Sequence, residues 1–127
     1  MSGESLNLHD FKGKVVILSF WATWCEPCVE EFPSFIKLLD EFPEKVVLIA
    51  ISHDYEEQDV TEFVEAFNGK RDNLILTMDK DKKMSQVFEV DRLPEGFVFN
   101  KDGLLVKKII GIQDWATPNA IEFFKSL

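Results

Sequence analysis

Apolar residues along this chain follow two patterns. Lys14 to Phe20 and Val46 to Ile51 are continuous runs rich in β-branched side chains, as expected of central strands covered on both faces. Between them, from Pro27 to about Leu39, Phe32, Phe35, Ile36 and Leu39 recur at helical spacing. Pro33 falls inside that pattern and deletes one backbone hydrogen bond, so a kink is expected there. A further helix is expected to open at Asp59-Val60-Thr61-Glu62, a capping box with Asp59 as N-cap and Glu62 reaching back. It runs through Phe63 and Phe67 and stops at Asn68-Gly69. Leu74 to Met78 reads as a short strand and Asp81 to Phe88 as a short helix. Gly96 to Asn100, the turn Lys101-Asp102-Gly103 and Leu104 to Ile110 form a β-hairpin signal. Thr117, followed by Pro118, opens a closing helix through Ile121 and Phe124.

The alternation demands parallel strands first and an antiparallel edge last: an α/β fold with a mixed central sheet flanked by helices. No repeat or linker interrupts it, so residues 1–127 are expected to form one domain. Lys12 and Lys14 before Val15-Val16-Ile17-Leu18 imitate the start of a signal peptide, but two tryptophans follow where a small-residue cleavage site belongs. The run therefore reads as a buried strand. No stretch is long and apolar enough for a membrane span.

Composition narrows the function. A 46% hydrophobic share with 13% aromatics supplies a core. The net charge of −9 argues against binding nucleic acid, which needs clustered Lys and Arg. Two cysteines cannot make a disulfide scaffold. They lie together instead, as Cys25-Glu26-Pro27-Cys28, where the first strand ends and a helix begins. That spacing lets both sulfurs occupy the first helical turn, within reach of a reducible disulfide. Free N–H groups and the helix dipole there favour thiolate, the attacking species. Cys25, the outer member, is the expected nucleophile and Cys28 the resolving thiol. Glu26 beside Cys25 partly offsets the dipole, so a reducing rather than strongly oxidising couple is expected. Zinc is a poor alternative, because only His9 and His53 remain to complete four ligands; a copper-chaperone reading prefers a wider spacing. No metal or organic cofactor is expected beyond the redox-active disulfide.

The segment Phe20-Trp21-Ala22-Thr23-Trp24-Cys25-Glu26-Pro27-Cys28 resembles the active-site segment of thioredoxin-fold proteins. The longer stretch from Leu6-Asn7-Leu8 through Gly13-Lys14-Val15-Val16 to Glu31-Phe32-Pro33 is similar to the TlpA/ResA-like branch, bacterial thiol–disulfide oxidoreductases. This resemblance implies a thioredoxin fold with an α-β insertion after the second core strand. It also implies a disulfide-containing protein substrate, an upstream thiol reductant, a monomer, and a periplasmic or other extracytoplasmic place, with cytochrome c maturation as one setting. A cytoplasmic role is the alternative. Leu93-Pro94 matches the family's cis-proline, so Trp24, Leu93 and Pro94 are expected to bind substrate, while Glu26 and Pro27 support the cysteines. Relatives carry further strands before the Leu6 segment, most of which this chain lacks, so a trimmed or shortened start is expected.

The chain also departs from the pattern. Ser19 stands where thioredoxin has a buried acid serving the deeper cysteine. Proton transfer at Cys28 is then expected to use water, Glu26, or an acid between Asp54 and Asp59, with Glu56 the candidate. Glu95-Gly96 follows the proline where a Thr or Ser is usual, a change expected to alter which partners dock. Trp21 reads as core, His53 as a solvent-facing loop residue in preference to a proton shuttle, and the acidic cluster Asp54, Glu56, Glu57 and Asp59 is explained equally by solvation and helix capping or by steering of a basic partner. Two rival functions remain: a peroxide-reducing relative, and a binding module whose cysteines do not turn over.

Overall fold

A computed structural model describes residues 8–127. Met1 to Asn7, which include the first two residues of the Leu6-Asn7-Leu8 likeness and the question of a trimmed start, lie outside the described residues. After a 3₁₀ turn at Leu8–Phe11 the chain enters strand β1 (Val15–Trp21), all seven residues of which are buried. Helix α1 (Glu26–Glu41) follows, then β2 (Val46–Ser52), α2 (Glu57–Ala66), β3 (Leu74–Met78), α3 (Lys83–Val87), β4 (Glu95–Phe99), β5 (Leu105–Ile110) and α4 (Pro118–Ser126). The sheet order is β3-β2-β1-β4-β5. β1 pairs parallel with β2, β2 parallel with β3, and the β4–β5 hairpin adds two antiparallel strands.

Alternation along β1 splits the core into two layers. Val15, Ile17 and Trp21 pack with Phe32, Phe35, Leu38 and Leu39 of α1 and with Val60, Val64 and Phe124 of the other helices on that face. Val16, Leu18 and Phe20 pack with Val47, Ile49, Phe97 and Phe99 on the opposite face, under Phe11 and Phe88. The pairs Trp21↔Ser52 and Phe20↔Glu95 bring the ends of β1 and β2 beside the start of β4. Three loops therefore leave the sheet at one end.

Two local readings are corrected. Helix α2 begins at Glu57, so Asp59 lies in its first turn and Glu56, with extended φ −114 and ψ 125, is the N-cap. The capping box does not form because Glu62 accepts from Gln58 Nε2 at 2.7 Å and Asp59 N donates to the Glu56 carbonyl at 3.2 Å. The other end of α2 is as expected: Asn68 adopts φ +52 and Gly69 N donates to the Val64 carbonyl at 2.8 Å. His53 is half-buried and anchored rather than solvent-facing. Its Nε2 lies 2.5 Å from Ser85 Oγ, and that hydroxyl donates to Asp79 at 2.6 Å. Burial and the nearby Lys82 ammonium lower the His53 pKa, leaving the ring neutral near pH 7. Helix α1 continues through Pro33 to Glu41, and Thr117 caps α4 by accepting from Ala120 N at 3.1 Å. Among the described residues no helix is long and apolar enough to cross a membrane.

Candidate functional site

Beyond Trp21 the chain makes a tight turn in which Cys25 N donates to the Ala22 carbonyl at 3.2 Å. Cys25 then caps α1 in extended conformation, with Pro27 in the first turn, where its missing N–H costs no helical bond. Cys28 lies one turn inward. The two cysteines form a disulfide with their Cα atoms 5.3 Å apart. Cys25 is 8% exposed and Cys28 2%, so the order of accessibility follows the order along the helix. Glu26 and Pro27 are exposed, Trp24 is 63% exposed beside Cys25, and Trp21 is buried against Phe32.

The turn before Cys25 is held from the segment that follows β2. Asp54, only 3% exposed, accepts from Thr23 N at 3.0 Å, from the Thr23 hydroxyl at 2.6 Å and from the Ser52 hydroxyl at 2.5 Å. Asp54 is therefore not part of a solvated cluster, unlike the exposed Glu56, Glu57 and Asp59. Asp54→Ala would leave the Thr23 amide and two hydroxyls without this acceptor, and is expected to cost about 2 kcal/mol of stability in urea unfolding. Asp54→Asn, which keeps one acceptor oxygen, should lose less.

The Leu93–Pro94 peptide bond is cis, as the resemblance implied. Pro94 is buried and its carbonyl accepts from Gly111 N at 2.8 Å, while Leu93 packs against both core layers at the end of the sheet.

Beneath the disulfide lies a residue not singled out from the sequence. Glu31, three positions after Cys28 on the same helix, is 4% exposed. A cavity of about 10 Å³ is lined by Cys28, Glu31, Ser19, Trp21 and Phe35, among others, and is at the lower limit for one water. Burial raises the Glu31 pKa from 4.5 to about 7, against the opposing pull of the Gln113 N–H, 2.8 Å from Oε2. The Trp115 indole adds a weaker pull but closes no hydrogen bond of ordinary geometry. The cavity therefore has, besides Ser19, a carboxyl able to take or give a proton near neutrality. Glu56 remains exposed at the α2 N-cap. The signal for Glu31 was its place in the apolar stripe of Cys28, Phe32, Phe35 and Leu39, where a charged residue needs a reason.

The three acids nearest the disulfide in sequence are Glu26, Glu30 and Glu31, of which Glu31 alone is buried. No group of three potential metal ligands occurs among the described residues.

Comparisons with known proteins agree with this arrangement. A family model described as Redoxin matches residues 1–122. The thiol-disulfide oxidoreductase ResA of Bacillus cereus is 40% identical over 114 residues, covering 89% of this chain and 64% of that protein. The chain thus spans just under two thirds of that relative's length. Among solved structures, the thioredoxin domain of a thiol-disulfide oxidoreductase from Bacteroides vulgatus superposes with a TM-score of 0.78 at 27% identity, over 96% of this chain and 86% of that one. The exposed lipoprotein thioredoxin of Streptococcus pneumoniae superposes with a TM-score of 0.73 at 27% identity, over 94% and 90%. These similarities establish the thioredoxin fold.

Proposed function

Because the chain belongs to the Redoxin family, we propose that it is a thiol–disulfide oxidoreductase that reduces disulfides in partner proteins by cycling Cys25 and Cys28 between dithiol and disulfide. The observation that carries this reading is the asymmetry of the pair: an outer sulfur at a helix N-terminus, and an inner one sharing a cavity with a carboxyl whose pKa is about 7.

In the reduced protein the Cys25 thiolate attacks one sulfur of the partner disulfide. The partner's other sulfur leaves as a thiolate and takes a proton from solvent, giving a mixed disulfide. Glu31, as carboxylate, accepts the Cys28 proton. Cys28 then attacks Cys25 Sγ, and the partner's second sulfur departs. Two electrons have passed to the partner and the Cys25–Cys28 disulfide remains, to be reduced again by an upstream dithiol. Trp24 and the Leu93–Pro94 segment form the docking surface, since Trp24 is the large exposed apolar group next to the nucleophile. No organic cofactor or metal takes part.

The setting in this proposal is extracytoplasmic, with reduction of apocytochrome c disulfides as the specific role. Similarity to a protein described as an exposed lipoprotein supports the setting, and the resemblance of the active-site segment to the TlpA/ResA-like branch is what suggests the role.

The test is turnover of a protein disulfide with a dithiol donor, together with equilibration in glutathione or dithiothreitol redox buffers. With Glu26 next to Cys25, the couple should lie toward the reducing side of the range for thioredoxin folds, nearer to about −270 mV than to about −120 mV. A potential at the oxidising end would refute the assigned direction. Full biological activity in a Cys25→Ser, Cys28→Ser double variant would refute redox turnover and favour a binding module.

A further inference from the structure

Glu95 is a fully buried carboxyl group that the thiol chemistry leaves unused. It follows the cis-proline directly, is 2% exposed, and lies on the face of β4 that carries Phe97, opposite the layer that contains the cysteines. It does not line the cavity under Cys28. Its carboxylate turns back along the chain instead. Oε2 accepts from Asp91 N at 3.0 Å and from Arg92 N at 3.3 Å, closing a ring over the residues that lead into Leu93 and Pro94. Oε1 makes no hydrogen bond, and its compensating charge is Lys108 Nζ, 3.7 Å away on the neighbouring strand. The register explains this pair: Glu95 is opposite Ile110 and Phe97 opposite Lys108, so Glu95 and Lys108 are diagonal neighbours on one face. The Lys108 ammonium also sits over the Phe97 ring, 5.4 Å from its centroid.

Burying a carboxylate with one oxygen unbonded costs stability, whatever geometry it enforces. Here that geometry is the backbone of Asp91-Arg92-Leu93, whose first two residues are exposed at the end of the sheet where the disulfide lies. We propose that Glu95, braced by Lys108, is a positioning residue for substrate docking: it holds the Asp91–Pro94 loop in the shape that receives the partner's polypeptide. The inference rests on the assignment of protein-disulfide reduction above. Because Glu95 acts on docking and not on the sulfurs, it governs protein substrates and leaves small disulfides unaffected.

Three substitutions test this, each assayed with a protein disulfide and with a small aromatic disulfide. Glu95→Ala should raise KM for the protein disulfide about tenfold, with kcat, redox potential and the rate with the small disulfide within about twofold of wild type. Glu95→Gln keeps an acceptor oxygen for the two amides and should recover most of the loss. Glu95→Asp keeps the charge but is too short to reach them, so it should resemble alanine, and it serves if the alanine variant does not fold. Amide hydrogen exchange at Asp91 and Arg92 should quicken in the alanine and aspartate variants and not in the glutamine variant. An unchanged KM, a parallel fall with both substrates, or a glutamine variant no better than alanine would overturn the proposal. If wild-type protein reduces no protein disulfide, the functional assignment fails instead, and the exchange rates still report whether Glu95 holds the loop.

Discussion

Cys28→Ser should convert turnover into capture. Cys25 remains at the N-terminus of α1, so it still attacks a partner disulfide, but nothing one turn deeper can then attack Cys25 Sγ. A mixed disulfide with the partner is expected to accumulate, visible as a thiol-sensitive band on non-reducing gels and as a linked peptide at Cys25 by mass spectrometry. Steady-state reduction should fall by at least about a thousandfold, because the lost step is the covalent one that releases product. Serine is close to isosteric with cysteine, so the packing around position 28 changes little and the fold should survive. Cys25→Ser should lose turnover equally but trap nothing. If Cys28→Ser kept more than about a tenth of wild-type turnover, the partner would be resolving the intermediate itself and the role given to Cys28 would fail.

Glu31→Gln should stabilise the protein and slow it at once. The folded-state pKa of Glu31 is raised from 4.5 to about 7, so the native protein binds this proton more tightly than the unfolded chain does. The associated stability is fully present below about pH 4.5 and is lost as pH rises through about 7. At 1.36 kcal/mol per unit, the loss is about 3 kcal/mol. Glutamine cannot ionise, yet it can still accept from Gln113 N. The variant should therefore match wild type in urea unfolding near pH 4 and exceed it by about 3 kcal/mol above pH 8. Resolution of the mixed disulfide by Cys28 should slow about a hundredfold near pH 7, and the rate should lose its dependence on a group titrating there. A stability difference that does not vary with pH would show that Glu31 is not the buried acid described here. An unchanged resolution rate would remove it from the mechanism.

How much of this was legible in the sequence depended on whether each signal was local. Two β-branched runs, a cysteine pair at a strand-to-helix junction and an Asn-Gly helix stop each carry their meaning within a few residues, and each took the expected form. Leu93-Pro94 was found only through the resemblance, since nothing local sets a cis bond there. Glu31 left a local trace as a charged residue in an apolar helical stripe, but its raised pKa depends on burial that only the fold provides, beside an amide 82 residues away. Asp54 was hidden among acidic neighbours that are exposed, and only the fold brings Thr23 to it across 31 residues. The start of α2 was misplaced for a local reason, because Gln58 competes for the Glu62 side chain that a capping box would use.

The alternation of β4 divides labour between neighbouring positions. Glu95 points to the layer of Phe97 and controls the loop before the proline. Gly96, the next residue, points to the other layer, where an added Cβ would come within 3.0 Å of the Trp115 ring that borders Glu31. Position 95 thus faces the layer of Phe97 and its neighbour the layer of Trp115 and the cysteines. Pleat parity keeps residue 95 out of the layer that holds the cysteines, whereas any side chain at 96 would have to displace the Trp115 ring in that layer.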